Sequence, residues 1–303
     1  MRTVVALGGN ALAPSGEATI AAQRERIEAT ADQLRELHEA GHDLVLTHGN
    51  GPQVGALLRQ QEESDAPERP LDVLVAETQA QLGYLLQQAL DERIHASVAS
   101  VVTQVEVDPE DPAFGEPSKP VGPYLSAEQA GERDFETTDV TTPEGETAHR
   151  RVVPSPEPRR ILEGERIETL VGDSEPVVCG GGGGVPVTVG DDGIEGVAAV
   201  VDKDHTTRLV AERVGADVLV MATDVPCVYA DFGTPEQSRI ADATAAEMRE
   251  HLAGGEFGEG SMEPKIQACL DFLDAGGERA VVAGTEDVAA AVRGDAGTQI
   301  HPG

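Results

Sequence analysis

The chain has 303 residues, 39% hydrophobic and 25% charged, enough to bury one large core and too few for three ordinary domains. Its 55 acidic and 22 basic residues leave a formal charge of −33, which argues against a nucleic-acid backbone or an anionic membrane as the main partner. No apolar run approaches the ~18 residues of a membrane span, and the first apolar stretch meets Gly8-Gly9 too soon to be a signal-peptide core, so a cytoplasmic location is expected.

Short apolar runs alternate with amphipathic stretches along the chain. Arg2–Leu7 reads as a buried strand, and Glu17–Ala40 carries Ile20, Ile27, Leu34 and Leu37 at helical spacing before stopping at Gly41. A strand at Asp43–Thr47, a helix over Leu71–Leu90 and a strand over Ala96–Thr103 follow. Val107–Pro158 breaks the rhythm: it is rich in Pro, Gly and Glu, and Thr142-Pro143-Glu144-Gly145 reads as a hairpin turn between Asp139-Val140 and Arg150–Val153. A structureless loop of that length is improbable inside a compact domain, so 107–158 is expected to be an inserted subdomain or lid, with a flexible linker as the alternative. Beyond it come a helix at Gly164–Val171, a strand at Pro176–Cys179, a hairpin over Val185–Val201, a helix at His205–Val214 and a strand at Asp217–Ala222. A hairpin around Tyr229, helices starting at Thr244 and Met262, and a strand at Arg279–Ala283 complete the series. The alternation predicts one α/β domain over residues 1–303, a three-layer α/β/α sandwich whose mainly parallel central sheet is covered by helices on both faces. Ligands of such sheets sit beyond the carboxyl ends of the strands.

The acids are scattered along the chain rather than gathered in a tail. Their repulsion opposes compaction in dilute buffer but is screened in roughly molar salt, where the Debye length is about 3 Å, so the composition is that of a salt-adapted cytosolic enzyme. The basic residues are 19 arginines and only 3 lysines, Lys119, Lys203 and Lys265. Cys179, Cys227 and Cys269 lie among apolar neighbours with no Cys-x-x-Cys pair, and the 8 histidines form no cluster, so buried small hydrophobes are expected and no protein metal site.

Three strands run into Gly-rich turns: Leu7-Gly8-Gly9-Asn10, His48-Gly49-Asn50-Gly51, and Cys179-Gly180 through Gly184. Such turns let the backbone approach a ligand and point several N–H groups at an anion. Thr3–Gly16, Leu44–Leu58 and Val177–Gly190 contain no charged residue in a chain where nearly one residue in five is acidic. Buried strands also shed charge, which accounts for part of this neutrality, but the turns themselves are not strands. No P-loop pattern and no Gly-x-Gly-x-x-Gly after the first strand is present. Lys203, in Val200-Val201-Asp202-Lys203-Asp204, and Lys265, in Gly260-Ser261-Met262-Glu263-Pro264-Lys265, each stand at a helix start, where a cation opposes the macrodipole; helix stability does not explain them.

On these residues the sequence resembles the carbamate kinases of the amino acid kinase family. The resemblance is carried by Ala6–Leu12, Thr47–Gly55, Val107–Phe114, Lys119–Pro123, Arg150–Pro156, Val201–Asp204 and Gly260–Lys265, in that order. It implies the amino acid kinase fold and reversible phosphoryl transfer between ATP and carbamate, giving carbamoyl phosphate and ADP, run toward ATP in arginine fermentation. It also implies Mg²⁺ carried with the nucleotide, and a homodimer. By the same resemblance Lys203 and Lys265 contact the nucleotide phosphates and the transferring group, and Asp204 orients both. Gly8, Gly9, Asn10, Gly49, Asn50 and Gly51 cradle carbamate and the phosphoryl group, and Lys119 closes over the acyl phosphate from the lid. The nucleotide base is placed near Thr223, Asp224, Val225, Tyr229 and Met262; Asp224 has the alternative role of capping a local turn.

Many family members that phosphorylate larger substrates carry a lysine just before the first Gly pair, where this chain has Val5-Ala6-Leu7. That departure fits the carbamate kinase branch and counts against acetylglutamate, uridylate and aspartate substrates. Two other readings stand beside it: a kinase of the same fold for another small acid or phosphonate, and a nucleotide-sensing module without catalysis, against which the presence of both motif lysines speaks.

Overall fold

The computed structural model describes residues 1–12, 19–142, 145–257 and 262–303, with the backbone alone at 10 and 11. The first part of the chain forms β1 (Arg2–Leu7), α1 (Gly9–Leu12), α2 (Ile20–Glu39), β2 (Asp43–His48), α3 (Gly51–Glu62), α4 (Leu71–Ile94), β3 (Ala99–Ser100) and β4 (Gln104–Val107). Next come β5 (Lys119–Leu125), α5 (Ala127–Gly131), β6 (Thr137–Thr141), β7 (Thr147–Val153), β8 (Pro158–Ile161), α6 (Gly164–Gly172), β9 (Val177–Val178), β10 (Val185–Gly190) and β11 (Gly193–Gly196). The remainder forms α7 (Lys203–Val214), β12 (Val218–Thr223), β13 (Val228–Ala230), β14 (Ser238–Ile240), β15 (Asp242–Thr244), α8 (Ala245–Ala253), α9 (Glu263–Asp274), β16 (Arg279–Gly284), α10 (Val288–Arg293) and β17 (Thr298–His301).

Eight strands make the central sheet in the order β15-β17-β16-β12-β1-β2-β9-β3. Every neighbouring pair is parallel except β16 with β17. Both faces of β1, β2, β12 and β16 are buried, which is why these strands read as unbroken apolar runs rather than alternating ones. Val4, Ala6, Val45, Leu219 and Met221 face Val210, Val214, Ile266 and Leu270 of α7 and α9. Val5, Leu7, Leu44, Leu46 and Val220 face Ile27, Leu34, Leu82 and Leu86 of α2 and α4. The register sets Leu7 beside both His48 and Ala222, so β1, β2 and β12 end level, and the turns leaving them open at one edge of the sheet.

Ala96–Thr103, expected as one strand, contributes only Ala99–Ser100 to this sheet; the chain then leaves it and re-forms as β4. The reason is local. The Gln79 amide holds both backbone groups of Thr103, accepting from its N–H at 2.9 Å and donating to its carbonyl at 3.0 Å, and the same carbonyl accepts from the Val185 N–H at the start of β10 at 2.8 Å, which turns the chain out of the central sheet and toward the second one. β4 joins β8, β10 and β11 in a four-stranded sheet. The helix α3 has no counterpart among the sequence-based expectations, because Gly51 and Pro52 read as a turn although proline's fixed φ suits the first turn of a helix.

Within the segment that breaks the rhythm, β5, β7 and β6 form a separate antiparallel sheet. β6 and β7 pair with Asp139 opposite His149 and Val140 opposite Ala148; Pro143 and Glu144 of the expected turn lie outside the described residues. Val121 and Val153 anchor this small sheet in an apolar cluster with Val54 and Leu58 of α3 and with Leu74 and Val75 of α4.

Candidate active site

The level strand ends put three Gly-rich turns side by side. The Gly8 N–H donates to the Ala222 carbonyl at 3.2 Å and the Gly49 N–H to the Leu7 carbonyl at 2.9 Å, which ties each of the first two turns to the strand beside the one it leaves. A Cβ on Gly49 would stand 2.8 Å from the Gly9 nitrogen and 3.4 Å from Cδ of Lys203, so only glycine permits this approach. Gly9 and Asn10 belong to α1, and the Asn10 side chain lies outside the described residues. Asn50 precedes α3 but does not cap it; its Nδ2 donates to Thr78 Oγ1 at 2.9 Å. The N–H groups of Gly51 and the rest of that first turn therefore lack a side-chain cap. In the third turn Gly183 takes φ +88°, and a Cβ there would collide with the Val201 carbonyl just ahead of Lys203.

Lys203 is the first residue of α7 and Lys265 the third of α9. Between them stands Asp204, 3% exposed. One of its carboxylate oxygens pairs with Lys203 Nζ and the other accepts from Lys265 Nζ at 3.3 Å. Two ammonium groups are thus held together by one buried carboxylate that lies between them. Burial, then the charge of Lys203, lowers the pKa of Lys265, and Asp204 opposes that fall. Gly260 and Ser261, which precede Lys265 in its motif, lie outside the described residues.

Asp202 caps α7, one oxygen accepting from the Asp204 N–H at 2.9 Å. Its other oxygen receives Lys119 Nζ, the first residue of β5, at 2.6 Å. Burial works against the Asp202 charge, but Lys119 and these hydrogen bonds outweigh it and hold the carboxyl well below the usual carboxylate range. Lys119, Asp202, Lys203, Asp204 and Lys265 line one cavity together with Gly49, Asn50, Gly51 and Arg150.

Thr223, Asp224, Val225, Tyr229 and Met262 line a second cavity, with Cys227, Phe232, Glu256 and Phe257. Tyr229 and Phe232 form a tilted aromatic pair with centroids 6.0 Å apart, and Phe232 is 62% exposed. The Asp224 carboxylate accepts from Thr223 Oγ1 at 3.0 Å. Met262 immediately precedes α9 and Lys265 lies in its first turn, so one helix start borders both cavities. Cys179, Cys227 and Cys269 are buried thiols; burial raises the pKa of Cys179 to about 12. Among the described residues no cluster of His, Cys, Asp and Glu is arranged to hold a metal.

The family model described as the amino acid kinase family matches residues 1–284. The chain belongs to the amino acid kinase family. Within that family it is 50% identical to a carbamate kinase of Halobacterium salinarum over 99% of this chain and 98% of that one. It is 42% identical to a carbamate kinase of Trichomonas vaginalis over the full length of both. The fold matches a carbamate kinase from Giardia lamblia bound to AMP-PNP with a TM-score of 0.91 and 34% identity, covering 100% of this chain and 98% of the other.

Two charged residues of the first cavity escape a reading of the sequence. Asp202 sits in a quoted motif, yet as a helix cap its bland role hides its contact with Lys119, 83 positions away. Arg150 opens another quoted motif, Arg150–Pro156, yet it is one arginine among 19, and nothing in its local sequence points to a role in the cavity.

Proposed function

We propose that the protein is a carbamate kinase that transfers a phosphoryl group reversibly between ATP and carbamate, working toward ATP from carbamoyl phosphate and ADP. The observation that carries this reading is the Asp204 bridge. It fixes two ammonium groups opposite the Gly49–Gly51 turn, in a cavity that also receives a cation from the small sheet. Phosphoryl transfer spreads negative charge over three equatorial oxygens, and a protein assists chiefly by positioning and by fixed compensating charge. Lys203 and Lys265 supply that charge. Gly8, Gly9, Asn10, Gly49, Asn50 and Gly51 supply the bed for carbamate and the transferring group, and Lys119 closes over it as the 107–158 lid docks and excludes water. The adenine occupies the slot lined by Thr223, Val225, Tyr229 and Met262, with the α9 start between base and phosphates.

Both carboxylates of the reaction cavity are committed to lysines and to the α7 cap. That suits a Mg²⁺ ion brought in on the nucleotide phosphates rather than one held by the protein. Bound there, the ion neutralises charge on the β- and γ-phosphates. No helix among the described residues is long and apolar enough to cross a membrane. The acidic composition supports a salt-rich cytoplasm as the place of work, and the family resemblance supports a homodimer and a place in arginine fermentation.

Purified protein in molar KCl with Mg²⁺, ADP and carbamoyl phosphate is expected to form ATP, and to form little from acetyl phosphate. No ATP from carbamoyl phosphate would refute the assignment.

A further inference from the structure

The four cations of the reaction cavity are not equivalent. Lys203 and Lys265 share Asp204, and Lys119 is paired with Asp202. Arg150, on β7 of the small sheet, makes no ion pair among the described residues, in a chain with 55 acids. Its Nε donates to the Gly122 carbonyl at 3.1 Å, and its guanidinium lies 5.4 Å from the centre of the Tyr124 ring. Gly122 takes φ +75° and marks the point where the pairing of β5 with β7 shifts register, so the chain is bent where its carbonyl meets the arginine. Two contacts therefore orient the guanidinium plane while both Nη groups lack a carboxylate partner among the described residues. Holding a half-buried cation this way is costly, and burial accordingly lowers its pKa. A salt bridge to one of the many acids would relieve that cost, and none is made among the described residues. With four cations against two carboxylates, the cavity has an excess of two positive charges, a match for a doubly charged phosphate compound.

We propose that Arg150 is a substrate-binding residue whose free Nη groups hold the acyl-phosphate substrate through a pair of its anionic oxygens. The inference deepens the carbamate kinase reading and rests on it. A planar fork meets a carboxylate or phosphate with two parallel hydrogen bonds, which an ammonium cannot reproduce. The division of labour follows from the contacts. Lys119 ties the small sheet to the α7 cap through Asp202, and Arg150 on the same sheet meets the substrate, so docking of that sheet and capture of the anion occur together.

The test is the steady-state kinetics of ATP formation by wild type, Arg150→Gln and Arg150→Lys, with carbamoyl phosphate and ADP varied separately. Loss of charged hydrogen bonds is expected to raise KM for carbamoyl phosphate by about 10- to 100-fold in Arg150→Gln, with KM for ADP within about twofold of wild type. Arg150→Lys should fall between, since it keeps the charge and loses the fork. A structural clamp on Gly122 alone would instead lower the melting temperature and leave the two KM values in their original ratio. Unchanged KM for carbamoyl phosphate in a folded Arg150→Gln, or an equal rise for ADP, overturns the proposal. If Arg150→Gln does not fold, Arg150→Lys decides: a rise confined to carbamoyl phosphate supports the proposal and none overturns it. A wild type that makes no ATP from carbamoyl phosphate overturns the reaction itself and this inference with it; an active wild type with an indifferent Arg150→Gln overturns the inference alone.

Discussion

Replacing Asp204 by asparagine preserves shape and removes one charge at the most constrained point of the site. The side chains of Lys203 and Lys265 are 14% and 13% exposed, and that of Asp204 4%, so water screens their interaction little. Removing one partner of a buried ion pair costs about 3–5 kcal/mol, because the remaining charge stays buried without its counter-charge. Here two ammonium groups are left facing an amide. For a chain of this size each kcal/mol lowers the melting temperature by roughly 2 °C, so a fall of roughly 6–10 °C is expected, toward the lower end in molar salt. Catalysis should suffer more: displaced lysines no longer point at the transferring group, and kcat should drop by about 10²-fold or more. The pH dependence gives the sharper test. Burial and Lys203 already depress the pKa of Lys265, and Asp204 is the group that resists them. Without it the folded-state value falls further, so Lys265 loses its proton, and the enzyme its activity, at lower pH than in wild type. Stability moves the other way, since the penalty for a charged buried lysine is present below its folded pKa and is relieved as pH rises through it. Melting scans and pH–rate profiles of the two proteins between pH 6 and about 10, the span set by ordinary histidine and lysine values, are the assay. An Asp204→Asn variant with the wild-type melting temperature and the same alkaline limb would refute the reasoning.

Lys203→Ala and Lys265→Ala should each lower kcat on the order of 10²-fold, measured with saturating nucleotide. Lys119→Ala should leave KM for ADP near wild type and raise KM for carbamoyl phosphate. Asp202→Asn keeps the α7 cap, which asparagine serves well, but takes the counter-charge from Lys119 and should give a milder form of the same kinetic change. The same variant should flatten acid unfolding. The depressed Asp202 pKa contributes stability that is complete above the ordinary carboxylate value near 4 and is lost as pH falls below it, so wild type should lose melting temperature more steeply there than Asp202→Asn. With a charge of −33 the melting temperature should climb steadily with KCl between about 0.1 M and 2 M; a flat profile would remove salt adaptation as an account of the composition.

Much of the sheet was legible in the residues. Strands buried on both faces are runs of Val, Leu and Ala that periodicity marks clearly, and the ends of Arg2–Leu7 and Asp43–His48 lie within a residue of their expected places. The Gly turns and the three lysines were equally visible, because glycine at a strand end and rare lysine at a helix start are local departures from local rules. α3 was not, since its opening Gly51-Pro52 reads as a turn, and neither was the break between β3 and β4, which depends on the Gln79 amide of α4 and on Val185 of β10 meeting at Thr103. What only the tertiary structure decided was who meets whom. Level ends of β1, β2 and β12 bring Gly49 against Gly9 and Lys203. A helix cap turns out to receive Lys119 from the small sheet, and Arg150 beside it has no ion-pair partner among the described residues. Composition and spacing carry each residue's chemistry, but charge compensation is a property of distances between segments far apart in the chain, and those distances exist only once the sheet has set its register.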